Sequence, residues 1–420
     1  MEKKVVPEGN GLRRKTAWLP IVLCWLVYTA AYMGRYSYNS NITPIMEAFG
    51  INHADAGLVT TFFFFAYGVG QIVNGLLCKY YNKRFIITFS LIMSSILNLA
   101  VFFGVPFYCI KYMWLVNGAL QSTLWPILIC VISENLKAED LSKSIVAMST
   151  TATAGTFITY GASAIFSVFD SYSYSFLLGA AVMTAVAAIW FLLYKRAFRG
   201  EGIQDENKAA DTKKPHDSKN KVCVSFVIMI VVIGIFAVAN NLVKDGLTTW
   251  VPAILKENFN LPGSLSIFLT LFLPVLGCFA AVMNAAAEKK IKSFIFLLCI
   301  WCTIAAVCIV IVILFIKTPY WQIILLLFGL ISLFMYGVNN IITNRVPIYT
   351  RDKINSGLLA GILNGCCYAG STISSYGLGH AADSFGWNGV FILLLAVCCL
   401  PVLISCVMYI FNRIKKIDML

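Results

Sequence analysis

The chain has 420 residues, of which 59% are hydrophobic and 12% charged, with mean hydropathy +0.80 and a formal net charge of +13. Soluble domains carry roughly a quarter charged residues, so a soluble enzyme or nucleic-acid binder does not fit. A barrel would show alternating segments of about 10 residues; the apolar stretches here are continuous and twice as long, which defines an all-α polytopic membrane protein.

Twelve such stretches predict helices over 17–46, 54–78, 84–104, 106–134, 142–169 and 173–195, then 222–256, 262–287, 292–316, 319–348, 354–382 and 386–412. Each is long enough to cross about 30 Å of hydrocarbon. The first carries Arg35 deep in its span, followed by Pro44. The second carries Phe62 to Phe65, read as a lipid-facing or packing run, and leads into a hairpin with Gly75, Lys79, Lys83 and Arg84. The fourth holds Gln121 and Trp125-Pro126. After the sixth, residues 196–221 are rich in Lys, Asp, Glu and Asn, cannot bury a core, and read as a linker. They divide the chain into six-helix halves, 1–195 and 222–420. The seventh stretch holds Asn240, Asn241, Lys244 and Asp245 ahead of Pro252; the tenth holds Tyr336, Asn339, Asn340 and Arg345; the eleventh holds Tyr368.

The basic residues are distributed by loop. Twenty-six lie at the termini, in the central segment and in the loops on the same side; three, Lys111, Lys256 and Lys317, lie on the other side; Arg35, Lys244 and Arg345 fall inside helices. That asymmetry places both termini and the central loop in the cytoplasm. The basicity therefore reports topology and not a nucleic-acid partner. No cleavable signal peptide is evident. The cysteines lie nearly all in apolar stretches and read as small apolar residues. Neither a metal cluster nor a nucleophile–base set appears, so neither an enzyme nor a cofactor is expected.

The halves repeat. Arg35-Tyr36-Ser37 answers Lys244-Asp245-Gly246, Gly118 with Trp125 answers Gly329 with Tyr336, and Ala154-Gly155 answers Ala369-Gly370, each pair offset by about 210 residues. Parallel six-helix repeats with a substrate site at the midplane are the plan of the major facilitator fold. A charge at that depth costs about 3 kcal/mol on insertion scales. It is tolerated most readily where it faces a watery cavity and an anionic ligand, so one cation per half points to an anion transporter.

The motifs also resemble a known family. Tyr32-Met33-Gly34-Arg35, Asn117-Gly118-Ala119-Leu120-Gln121 with Trp125-Pro126, Lys244-Asp245-Gly246 with Trp250 and Pro252, and Tyr336-Gly337 are similar to the organophosphate:phosphate antiporters of the major facilitator superfamily, the glycerol-3-phosphate and hexose-6-phosphate carriers. The resemblance runs from about 20 to 410, outside the central segment. It implies phosphate contacts for Arg35 and Lys244, with Gln121 and Trp125 facing inward. Departures are Lys244 where bacterial glycerol-phosphate carriers have arginine, Gln71 where a lysine is frequent, no fifth-helix histidine, and an additional cation at Arg345. In the hairpin, Lys79 replaces the aspartate that latches the superfamily's outward-open state.

The candidate substrate site therefore comprises Arg35, Lys244, Gln121, Trp125, Tyr32, Tyr36, Tyr38, Asn240, Asn241, Asp245, Tyr336, Asn339, Asn340, Arg345 and Tyr368; Gly75, Lys79, Lys83 and Arg84 form a candidate conformational motif. Lys244 and Asp245 are adjacent and point about 100° apart on a helix, so Asp245 is expected to pair across helices, with Arg345 as its candidate partner; a lipid-phosphate contact for Arg345 stands beside that reading. The expected cargo is a sugar phosphate or glycerol-3-phosphate exchanged for inorganic phosphate by a monomer in the plasma (inner) membrane. An empty cavity with two unpaired cations would resist turnover, which favours exchange. A proton-coupled anion symporter, a sugar-phosphate sensor of the same fold and a carrier of a non-phosphate anion remain alternatives.

Overall fold

A computed structural model describes residues 18–136, 140, 144, 147–198, 224–350 and 356–415, without the side chains of 79, 224–225, 348, 356–358 and 408–415. Of the expected linker 196–221, the first residues continue the preceding helix to Ala197, and 199–221, like the Lys79 side chain, lie outside the described residues. The rest is helical: α1 (Trp18–Asn39), α2 (Ile42–Phe49), α3 (His53–Leu77), α4 (Lys83–Phe102), α5 (Phe107–Gln121), α6 (Leu124–Asn135), α7 (Thr151–Val168) and α8 (Tyr174–Ala197) in the first half. In the second half come α9 (Val224–Phe259), α10 (Gly263–Thr270), α11 (Phe272–Gly277), α12 (Ala280–Glu288), α13 (Phe294–Phe315), α14 (Trp321–Asn340), α15 (Val346–Tyr349) and α16 (Ser356–Lys415). Among the described residues, nine segments are long and apolar enough to cross a membrane. One of them, Leu359–Val407, is long enough for two crossings. α1 and α7 stand where the first and fifth spans are expected, but their polar residues hold down their hydropathy.

Among the described residues, the first, fourth and eighth expected helices are each broken for a clear local reason. The first stops at Asn39 because Ser40 and Asn41 turn their side chains onto the backbone, Asn41 Nδ2 donating to Ser37 O at 2.8 Å; such bonds compete with the helical ladder. The fourth divides at Ser122–Thr123 and the eighth at Leu271, each ahead of a proline, Pro126 and Pro274. A proline has no N–H for the carbonyl four residues back, and its ring crowds that carbonyl. The eleventh and twelfth expected helices run together in α16, interrupted at Gly386, whose φ of 67° is open to glycine at little cost. Elsewhere, side chains cap the entries: Asn52 accepts from Asp55 N at 2.8 Å and Asn82 from Phe85 N.

Large apolar side chains point outward all round the bundle, among them Phe65, Leu76, Phe103, Leu192, Val282 and Leu314. In water such a surface would be untenable; against lipid it is the expected exterior. Polar residues are turned inward, as the bilayer requires.

The halves meet most tightly at the end of the bundle that carries His53. His53 Nε2 lies 2.8 Å from Glu257 Oε1 and its Nδ1 2.6 Å from Asp383 Oδ1. Asp383 also accepts from the backbone N–H groups of His53 and Ala54, and Lys256 pairs with Glu47. Glycines let the backbones touch here: a Cβ on Gly57 would stand 2.2 Å from Ser375 O, and one on Gly379 2.5 Å from His53 O. At the opposite end, the ion pairs Lys83–Glu134 and Arg345–Glu288 each stay within one half. The hairpin residues follow suit: Arg84 Nε donates to Phe191 O at 2.8 Å and its guanidinium lies 3.7 Å from the Phe191 ring. Gly75 accepts from Cys78 Sγ in the last turn of α3.

Candidate functional site

Arg35 points from α1 into the middle of the bundle and is 3% exposed. Its guanidinium is enclosed by rings: 4.2 Å from the centroid of Tyr67, 4.7 Å from Tyr32 and 5.0 Å from Phe63. A guanidinium over aromatic faces gains about 1–2 kcal/mol when desolvated. Among the described residues its side chain makes one hydrogen bond, a long one, Arg35 Nε donating to Gln121 Oε1 at 3.4 Å. Gln121 is aimed by Asn117, whose Oδ1 accepts from Gln121 Nε2 at 3.1 Å. Arg35 Nη2 is buried with no hydrogen-bond partner among the described residues. A desolvated donor on a full cation carries a large penalty, and its geometry suits a forked bond to an oxyanion.

The cage extends into both halves. Tyr67 and Tyr28 share a hydroxyl–hydroxyl bond of 3.0 Å, Trp125 lies on Tyr28 at 4.8 Å, and Tyr368 from α16 reaches 4.7 Å from Tyr67. Tyr32 stacks on Tyr36 at 5.7 Å, and Tyr36 approaches Tyr160. Tyr160 in turn donates to Thr248 O at 3.2 Å, across to α9. Thr248 Oγ1 donates back to Lys244 O at 2.9 Å, so this run of rings joins the Arg35 cage to the Lys244 turn of α9.

Lys244 is built differently. Its Nζ lies 3.3 Å from Asp245 Oδ1 and 5.2 Å from the Tyr336 ring. The other Asp245 oxygen accepts from Ser371 Oγ and, at 3.2 Å, from Asn241 Nδ2. Asn240 Nδ2 donates to Asn241 Oδ1 at 2.9 Å, extending the chain of bonds. This corrects two expectations. Asp245 pairs with its own neighbour, because the four-carbon lysine stem curls back although the two Cβ directions diverge. Arg345 is not its partner: it sits in a π-helical turn, Ile341–Arg345, at the far end of the bundle, half-exposed and 3.6 Å from Glu288.

Other expected residues divide similarly. Tyr32, Tyr36, Gln121, Tyr336 and Tyr368 fall around the two cations; Trp125 supports them one layer back. Tyr38 does not: it points away between α3 and α5, donating to Ala56 O at 2.9 Å and packing on Trp114. Asn339 lies beside Cys367 and Asn340 beside Asn284, on the flank of the Lys244 region. Phe63, expected to face lipid or pack, is 1% exposed and closes the Arg35 cage. The sequence reading missed Tyr67, Tyr28, Phe63, Asn117, Tyr160 and Ser371. A helical projection of α3 carries a signal for two of them, since Phe63 and Tyr67 are four apart and share a face.

The fold is that of a polytopic helical membrane protein that buries two cations in its interior. The profile of the Major Facilitator Superfamily matches residues 24–375. The chain belongs to that superfamily. Among curated proteins it is 28% identical over 101 residues to "Membrane sensor protein UhpC" of Escherichia coli, a match spanning 24% of this chain and 23% of that one. It is 23% identical over 381 residues to "Sugar phosphate exchanger 3" of Bos taurus, covering 80% of this chain and 76% of that one. These relatives support the likeness to organophosphate:phosphate antiporters. Among solved structures, a bacterial homologue of the human lysosomal transporter Spinster superposes with a TM-score of 0.73 at 15% identity, covering 95% of this chain and 97% of that one.

Proposed function

We propose that the protein carries a phosphorylated organic anion, a sugar phosphate or glycerol-3-phosphate, across the membrane in exchange for inorganic phosphate. The observation that carries this reading is the bare Nη2 of buried Arg35, held in an aromatic cage beside a second cation from the other half. A phosphate ester bears about −1.5 to −2 charge at pH 7 and three acceptor oxygens. Arg35 grips it as a planar fork, and Lys244 as a point charge with three donors. In this reading the hydroxyls of Tyr32, Tyr36, Tyr336 and Tyr368 bond the organic part. Because the ligand ties α1 to α9, loading favours joint movement of the halves 1–195 and 222–420. The His53 seam then opens as the opposite end closes. We further propose a monomer in the plasma (inner) membrane; the distribution of basic residues supports placing both termini and the linker 196–221 in the cytoplasm.

The likeness to a protein named as a membrane sensor keeps a second reading, in which the same site binds a sugar phosphate and signals without flux. Proteoliposomes loaded with radiolabelled phosphate separate the two. Release on adding glycerol-3-phosphate or glucose-6-phosphate outside, abolished in Arg35→Ala, is the expected outcome. Binding of a sugar phosphate with no release under any gradient would replace the transporter reading with the sensor.

A further inference from the structure

The two cations are expected to stand unpaired in an empty cavity and so oppose its reorientation. Only Arg35 meets that expectation. Lys244 carries its own counter-anion, and the carboxylate is fixed from behind by Ser371 and Asn241. Lys244 and Asp245 are both largely buried, so their charges count at low dielectric.

The charge of the site follows directly. With Arg35, Lys244 and Asp245 ionised, the empty site carries +1. A phosphate dianion brings it to −1, and a monoanion to zero. The cost of enclosing a net charge grows with its square and is large in a dry interior. Empty and dianion-loaded sites therefore carry charge of equal magnitude, and no electrostatic penalty singles out the empty one. Without the Asp245 charge the sequence would be +2 empty and zero loaded, the condition that forbids return of an empty carrier.

We infer that Asp245 is a built-in counter-ion for Lys244 that lets the empty carrier reorient, so that this protein performs net one-way anion flux in addition to exchange. The inference rests on the anion-carrier reading above and adds an activity to it. When the anion binds, Lys244 does not have to release Asp245, since the ammonium has three N–H donors and the carboxylate occupies one. Asp245 acts on flux through Lys244, and Ser371 positions it.

The test uses the full-length protein in liposomes loaded with radiolabelled inorganic phosphate, with valinomycin and equal potassium on both sides to clamp the potential. Label release is followed into phosphate-free buffer, giving net efflux, and into buffer with unlabelled phosphate, giving exchange. In the unaltered protein, net efflux is expected within about tenfold of exchange. In Asp245→Asn the ratio of net efflux to exchange falls by at least about tenfold, a barrier difference of about 1.4 kcal/mol. Ser371→Ala, which loosens the carboxylate without removing its charge, moves the ratio the same way by a smaller factor. If the unaltered protein releases label only against external phosphate, the inference is wrong while the exchanger reading stands. If neither condition releases label, the phosphate-carrier reading fails and takes the inference with it. Loss of both fluxes in Asp245→Asn together with an unchanged ratio in Ser371→Ala also overturns the role of the carboxylate.

Discussion

The first half presents its cation in a cage of rings; the second presents its cation already bound to a carboxylate. Arg35 and Lys244 occupy equivalent places in a repeated sequence, yet one has aromatic faces and a free donor and the other has an ion pair with two further bonds behind it. Ring faces stabilise a cation without neutralising it, so Arg35 keeps its full charge for a ligand. A carboxylate neutralises, so Lys244 contributes directional donors with little net charge. Under the proposed function the difference assigns attraction to Arg35 and charge balance to the Lys244–Asp245 pair.

Removing Arg35 should therefore have the largest effect. Arg35→Ala leaves a neutral Lys244–Asp245 pair and is expected to lower exchange at least about 100-fold, in line with the 2–5 kcal/mol lost on truncating a buried charged partner; initial rates in proteoliposomes measure it. Lys244→Ala leaves the bare fork of Arg35 in place but strands the Asp245 carboxylate beside the incoming anion. A loss of about 30-fold is expected, with part recovered in the double variant Lys244→Ala/Asp245→Ala, since removing both members of a buried pair is milder than removing one. A larger loss for Lys244→Ala than for Arg35→Ala, or no recovery in the double variant, breaks the comparison.

The seam offers a third contrast, with the site itself. His53 links α3 to both Glu257 and Asp383, whereas under the proposed function the ligand links α1 to α9. His53→Ala should loosen the seam and speed amide hydrogen exchange across residues 53–57 by about tenfold, the effect of losing one or two hydrogen bonds to charged groups. Unchanged protection there would show that glycine-mediated backbone contact closes that end unaided. The smallest effect is expected from Tyr67→Phe, which keeps the ring under Arg35 and loses only the bond to Tyr28. A rise in KM of about threefold is expected, near the net worth of one neutral hydrogen bond; a change as large as that of Arg35→Ala would mean that the hydroxyl, and not the ring face, serves the ligand.

Much of the architecture was legible in the sequence because the bilayer enforces it. Continuous apolar stretches follow from the cost of polar groups in hydrocarbon, and the same cost makes Arg35 and Lys244 stand out within them. Helix breaks were partly legible: Pro126 and Pro274 signal theirs, but the stop at Asn39 depends on Ser40 and Asn41 also bonding Ser163 on α7. Tyr38 and Tyr36 show the limit most plainly. Two residues apart on one helix and chemically identical, they face opposite ways, one to Trp114 in a packed core and one to the site.

The sequence alone determined that this is a helical membrane protein with Arg35 and Lys244 at matching places in its apolar stretches, because those features are set by the solvent around the chain. The tertiary structure decided what each cation meets. The Arg35 cage draws rings from α1 and α3, and Lys244 keeps Asp245 because Ser371 of α16 and Asn241 hold that carboxylate in place. Such partners come from helices far apart in sequence, and a side chain's reach and rotamer are fixed only when those helices are packed together.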